Sequence, residues 1–281
     1  MAKISVIGIC GNSIFMQVDH FHQKGETLAA HSVFEEIGGK GINQAVACAR
    51  MGAQVSFLAA IGADKDGQSC REIAQKEKIK GFFAVKPGKK TTFAVILTDR
   101  QGENQVTGYR CAELTPEDVL AFEEEIASSD ILLLQNEVPQ EVNEAAVRLA
   151  AKHKVKVILN PAPIRRISEE MAENIFAVTP NAQEKQAIDP SRFCHVITTL
   201  GGEGCSIDDS QFIPALGVKA VDTTGAGDTF NGALAVCLAE GKDLQTACCY
   251  AVTASGLSVT KHYVLNAIPT REEIERRMSN E

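Results

Sequence analysis

Short, nearly unbroken apolar runs alternate along this chain with longer stretches in which apolar positions return every three or four residues. The runs "KISVIGIC" (3–10), "QVSFLAAIG" (54–62), "DILLLQNE" (130–137), "VKVILNPAP" (155–163), "IFAVTPN" (175–181) and "HVITTLGGEG" (195–204) have the length and β-branched content of strands. Between them, "GINQAVACARMG" (41–52), residues 65–78 and a stretch opening near Pro139 carry the helical period. Strands that are apolar at nearly every position are buried on both faces, so the pattern predicts a mostly parallel sheet between two helical layers. From residue 225 onward the reading is wholly helical, over 226–240, 243 to about 260 and 270–278, with Gly241 and Pro269 as punctuation.

Two stretches, about 11–37 and 91–109, break this rhythm with alternating residues and no helix between them. They predict a small antiparallel flap that buries little alone and must lie over the main body or against a second subunit. A lid and a plain edge extension fit the pattern equally. In an open α/β sheet ligands gather beyond the carboxyl ends of the strands, so "NE" (136–137), "NPAP" (160–163), "TPN" (179–181) and "TLGG" (199–202) are expected along one rim.

At 281 residues, 44% apolar and 23% charged, the chain can bury a large core and is expected to form a single domain over 1–281. A net charge of −8 without a Lys/Arg block argues against a general nucleic-acid binder. No apolar run approaches the roughly 20 residues that cross a bilayer, and the N-terminus lacks the regions of a signal peptide, so a cytoplasmic protein with no membrane partner is expected. The nine cysteines form no CxxC pair and read as reduced, buried small hydrophobes, and the six histidines lack a metal-ligand spacing.

"VDTTGAGDTFNGA" (221–233) sets Gly225, Ala226 and Gly227 before a carboxylate, Asp228, at the start of a helix. Small residues let a ligand approach the backbone, and the first amides of a helix have no partner within it, so this is an anion site needing no basic side chain. Asp228 either compensates the helix dipole or acts as a general base while the amides receive the charge of a transferring group. No GxxxxGK[ST] occurs, and "GICGNS" has the wrong spacing for a dinucleotide-binding turn.

"DTTGAGDTFNGA" resembles the second signature of the ribokinase-like, or PfkB, carbohydrate kinases, and "GGKGINQAVACARMGAQVSFLAAIGADKDG" (38–67) resembles their first, with "NPAP", "TPN" and "TLGGEG" in the family order between them. The resemblance covers nearly the whole chain. It implies a ribokinase-like three-layer α/β/α fold and an ATP-dependent kinase that phosphorylates a hydroxyl of a small sugar or sugar-like molecule with the help of Mg²⁺. Asp228 then corresponds to the catalytic base, and Gly225, Ala226 and Gly227 to the anion hole. Gly38, Gly39 and Asn43 match residues that hold the sugar, Glu137 an acid beside them, and Lys40 either reaches a phosphate or sits on the surface. Asn181 and Glu184 match an element that organises Mg²⁺ and phosphates through water; Thr199, Gly201, Gly202 and Gly204 match the loop over the nucleotide. Tight turns, a capped helix start and a bare hairpin are the bland alternatives at these positions. Asp222 and Thr224 fall where some relatives hold a monovalent cation such as K⁺, and relatives with such flaps pair through them, implying a homodimer.

Several positions depart from the family. An Asn and an Asp that grip ribose in many relatives fall here on Gly11 and Ser13, and serine cannot replace a charged bidentate acceptor, which counts against ribose. "GYRCAEL" (108–114) brings Tyr109 and Arg110 to the lid side, where Arg110 meets an anionic substrate or is simply solvated. Only about 14 residues separate Asn181 from "VITTLG", and Tyr263 and Ala267 replace small or hydroxyl residues near the cation position, which puts K⁺ activation in question. Nucleosides such as pseudouridine are alternative acceptors, and a non-catalytic sugar- or nucleotide-binding protein is the alternative outside catalysis.

Overall fold

A computed structural model describes residues 1–280. The chain begins with β1 (Lys3–Ile7), β2 (Gly11–Gln17), β3 (Ser32–Gly38), α1 (Lys40–Arg50), β4 (Gln54–Ile61), α2 (Lys65–Lys76), β5 (Lys80–Val85), β6 (Phe93–Thr98) and β7 (Asn104–Tyr109). Then come α3 (Pro116–Leu120), α4 (Glu123–Ala127), β8 (Ile131–Gln135), α5 (Gln140–His153), β9 (Lys156–Asn160), α6 (Glu169–Glu173), β10 (Ala177–Val178), α7 (Ala182–Gln186) and β11 (His195–Thr199). The final elements are β12 (Gly204–Ile207), β13 (Gln211–Pro214), α8 (Ala226–Ala239), α9 (Leu244–Ser258) and α10 (Arg271–Met278).

Nine strands form one sheet in the order β13-β12-β11-β10-β9-β8-β1-β4-β5, parallel from β11 to β5, with β12 and β13 antiparallel at the edge. Ile131 to Leu134 and Val157 to Leu159 are fully buried because both faces of the sheet are covered. One face packs Ile4, Val6 and Leu133 against α1, α8 and α9; the other packs Ile7, Leu132 and Leu134 against α3 to α6. Strand order reverses at β1, which has β8 on one side and β4 on the other, and the crevice at such a switch point is where α/β sheets hold ligands.

The second sheet, β3-β2-β6-β7, lies where the two irregular stretches were expected, but it is mixed: β2 pairs antiparallel with β3 and parallel with β6. Both β2 and β6 leave the main sheet from the same end, β2 after β1 and β6 after β5, so they run in one direction. The interval after Asn181 holds only α7 and one 3₁₀ turn, with no added helix and strand. Of the nine cysteines, all free, six are buried as expected; Cys111 and Cys249 are half-buried and Cys194 is exposed. No helix among the described residues is long and apolar enough to cross a membrane.

Candidate active site

Helices α1 and α8 pack closely because Gly232 faces α1; a Cβ there would lie 2.4 Å from the Ala47 Cβ. This contact brings the first turns of the two helices together. Asp228, 5% exposed, turns both oxygens toward α1: Oδ2 accepts from Asn43 Nδ2 at 2.9 Å and Oδ1 from Gln44 Nε2 at 3.0 Å. Gln44 is fixed in turn by strand ends, accepting from Gln135 Nε2 at 2.6 Å and donating to Asn160 Oδ1 at 3.4 Å. Asn160 donates to the Thr179 carbonyl, Thr179 to Asn231 Oδ1, and Asn231 to the Gly227 carbonyl at 2.8 Å, so the network closes on the start of α8.

Gly225 caps α8 with a left-handed φ of 76°. The Ala226 N–H turns back to the Thr223 carbonyl at 3.2 Å, whereas the Gly227 and Asp228 N–H groups have no partner among the described residues. These two amides are therefore available to an anion, with the helix dipole behind them.

Gly39 precedes α1 with φ 106°, and the Lys40 N–H donates to Glu137 Oε2 at 2.8 Å. The charge of Asp228, ahead of those of Glu137 and Glu184, raises the Lys40 ammonium above its ordinary value against the opposing effect of burial. Burial pushes the Glu137 carboxyl above the usual carboxylate range despite the pull of Lys40. Gly38 lies against Ser13, whose Oγ would be 2.7 Å from a Cβ at residue 38. Arg110, exposed, lines a small cavity with Gly8, Thr92 and Glu137. Asn43 Oδ1 is buried without a partner among the described residues, an acceptor left free for a hydroxyl.

On the other side of the α8 tip lies a cavity of about 360 Å³ lined by Thr199, Gly201, Gly202, Gly204, Ala226 and Gly227, with Leu216, Val252, Gly256 and Val259 as its apolar wall. Asn181 and Glu184 form a capping box on α7: Asn181 Oδ1 accepts the Gln183 and Glu184 N–H groups, and Glu184 Oε2 accepts the Asn181 N–H at 2.8 Å. Asp222 accepts from the Thr224 and Tyr263 N–H groups at 2.9 and 3.0 Å. Sequence reasoning missed Gln44, although it directly follows Asn43, and missed the apolar cavity wall, whose residues carry no chemical signature.

The pfkB family carbohydrate kinase model matches residues 1–271. The chain belongs to the pfkB family of carbohydrate kinases. This pfkB-family chain is 33% identical over 295 residues to the ribokinase of Bacillus subtilis, covering 99% of this chain and all of that one. Among solved structures it resembles the ribokinase of Thermotoga maritima, with TM-score 0.88, 34% identity and full coverage of both chains. It also resembles the Arabidopsis thaliana ribokinase complexed with ribose and ATP, with TM-score 0.85, 25% identity and 98% coverage of each chain. The protein is accordingly a carbohydrate kinase, a phosphotransferase.

Proposed function

We propose that this kinase transfers the γ-phosphoryl group of ATP to a hydroxyl of a small sugar or sugar-like acceptor, with Asp228 as general base and the Gly225–Gly227 turn as anion hole. The observation that carries the reading is the pairing of a buried carboxylate, held from α1, with the unpartnered Gly227 and Asp228 N–H groups at one helix tip. The acceptor would sit among Ser13, Gly38, Gly39, Asn43 and Glu137, its hydroxyl donating first to Asn43 or Glu137 and its reacting proton to Asp228. Lys40 would meet the phosphoryl group, and the amides would stabilise its charge.

ATP would occupy the 360 Å³ cavity, its base against Leu216, Val252 and Val259 and its phosphates reaching Gly227. No cluster of three or more His, Cys, Asp or Glu side chains among the described residues could build a metal site. Glu184 Oε1 has no hydrogen-bond partner among the described residues, and the charge of Glu184 reaches Lys40, which fits an Mg²⁺ carried by the nucleotide and touched through water. Bound there, the ion would neutralise charge on the donor phosphates. Asp222 and Thr224 would border a monovalent cation: Asp222 is ion-paired with no basic side chain among the described residues and spends its two oxygens on the Thr224 and Tyr263 N–H groups, a setting that suits K⁺. A homodimer through the lid would cover the aliphatic face shared by Ile14, Met16, Val33, Val95 and Leu97. Free thiols and the composition support a cytoplasmic location.

Asp228→Asn tests the assignment. With a panel of pentoses, hexoses, sugar acids and nucleosides and an ADP-release assay, turnover on the best acceptor should fall roughly 10²–10⁴-fold. A variant as fast as wild type would remove Asp228 from the chemistry, and thermal shifts without turnover on every compound would favour a binding protein.

A further inference from the structure

The segment 263–268 joins the lid to the tip of α8. Three successive amides of this segment are taken by carboxylates from two different elements. Tyr263 N–H donates to Asp222 Oδ2 at 3.0 Å; Val264 and Leu265 N–H donate to the two oxygens of Glu36 at 2.9 and 3.4 Å. From the opposite side, Arg50 Nη1 donates to the Leu265 and Ile268 carbonyls at 2.6 and 2.7 Å. Arg50 itself is paired with Glu77, so one wall is anchored in the main body and the other in the lid.

Glu36 is on β3, and Phe34, on the same face of that strand, stacks on the Tyr263 ring at 3.7 Å between centroids. Tyr263 holds a left-handed φ of 66°, a conformation unfavourable for a bulky residue that its neighbours must over-determine. Val264 then presses on the anion hole: a Cβ at Gly225 would lie 2.4 Å from Val264 Cγ1. The same loop is tied down by Asp222 through the Thr224 N–H. Glu36 is a costly choice for a merely structural brace. It has no basic partner among the described residues, and both of its oxygens are spent on backbone N–H groups.

We propose that Glu36 is a positioning residue that carries the seating of the lid, through Val264, to the backbone at Gly225 and so to the amides of the anion hole. This rests on the reading of that turn as the anion hole. Glu36 touches no reacting atom; it fixes how close the Gly225 peptide can come. Because β3 continues through Gly38 and Gly39 into α1, the same strand governs both the base, held by Asn43 and Gln44, and the amides opposite it.

The test uses the full chain with Glu36→Gln, which leaves one acceptor oxygen, Glu36→Ala, which leaves none, and Val264→Ala, which cuts the link without touching the lid. Peptide-level hydrogen exchange is followed over 259–268 and over 221–230, alongside ADP release. Both Glu36 variants should exchange faster in both segments, Val264→Ala faster in 221–230, and kcat should fall roughly 5- to 50-fold with KM for ATP within about twofold. Wild-type exchange over 221–230 in the variants that fold would overturn the coupling, as would unchanged kcat with 259–268 loosened. Asp228→Asn in the same assay separates the two ideas: if it keeps wild-type turnover the catalytic reading falls, whereas the coupling stands or falls on the exchange data alone.

Discussion

Replacing Gln44 with Ala removes one of the two side chains that hold Asp228 and leaves the backbone of α1 intact, since Ala is the best helix former. The lost bond runs from Nε2 to Asp228 Oδ1 at 3.0 Å in a fully buried setting, and hydrogen bonds to charged groups contribute about 1.5–3 kcal/mol. The same change strands Gln135 Nε2, which donates to Gln44 Oε1 at 2.6 Å in a site 0% exposed. An orphaned buried donor costs a further 1–3 kcal/mol or so, which appears as lost stability. Asn43 still anchors Oδ2, so the carboxylate keeps its place but gains freedom to rotate about one bond. If orientation of that carboxylate matters to proton transfer, about 1.4–2.7 kcal/mol of the loss should appear in the barrier, a roughly 10- to 100-fold fall in kcat. Steady-state ADP release on the best acceptor gives kcat and both KM values, and thermal melting reports the stability component. A folded Q44A protein with kcat within about twofold of wild type would show that Gln44 does not position Asp228 for chemistry.

Gly256→Val should raise KM for ATP at least about tenfold while leaving the acceptor KM unchanged, because residue 256 lines the apolar cavity and even a Cβ would lie 2.6 Å from Leu216 Cβ; equal effects on both KM values would place the nucleotide elsewhere. Gly232→Ala should destabilise by about 1–3 kcal/mol, seen as a lower Tm, since its Cβ would meet Ala47 Cβ at 2.4 Å and backbone atoms at 3.0 Å. Arg271 grips both oxygens of Glu240 and holds that carboxyl below its ordinary value, so the pair stabilises above that value and the contribution is lost as pH falls through the lowered one. Arg271→Ala should therefore cost about 1 kcal/mol at neutral pH and flatten the fall of Tm between neutral and acid pH, an effect absent if the pair is fully screened.

The parallel sheet was legible because strands covered on both faces have nowhere to hide a polar residue, and Ile131 to Leu134 or Val157 to Leu159 read directly as such. The direction of β6 was not, because it depends on which end of the main sheet the chain leaves, a property of the assembled layers. Small residues before Asp228 pointed to an anion site, but the choice among the amides belongs to the turn: Ala226 folds back to Thr223, and Gly227 and Asp228 do not. Gln44 escaped notice because its partner lies 184 residues away and is reached only through the α1–α8 contact at Gly232. The apolar cavity wall that α9 supplies looks like any core helix until the glycines of the 201–204 loop are seen opposite it.

Three other acids in this protein occupy the same position in their helices as Asp228 does in α8, the third residue after the cap, and each of them closes its own helix start. Asp118 reaches back to the Thr115 N–H at 2.7 Å, Glu184 to the Asn181 N–H at 2.8 Å and Glu273 to the Thr270 N–H at 2.7 Å, each closing a capping box. Asp228 makes no such bond. Its two oxygens are drawn off by Asn43 and Gln44 of another helix, and the cap residue, Gly225, has no side chain to take the Gly227 and Asp228 N–H groups, which stay open. A carboxylate that compensated the dipole would occupy the N–H groups itself and compete with any bound anion. Drawn aside by 2.9 and 3.0 Å bonds to neutral amides, it leaves those N–H groups unblocked, the arrangement that the proposed transfer between an alcohol and a phosphoryl group requires. That division of labour explains why the chain spends two buried amide side chains of α1 on an acid it could have capped locally.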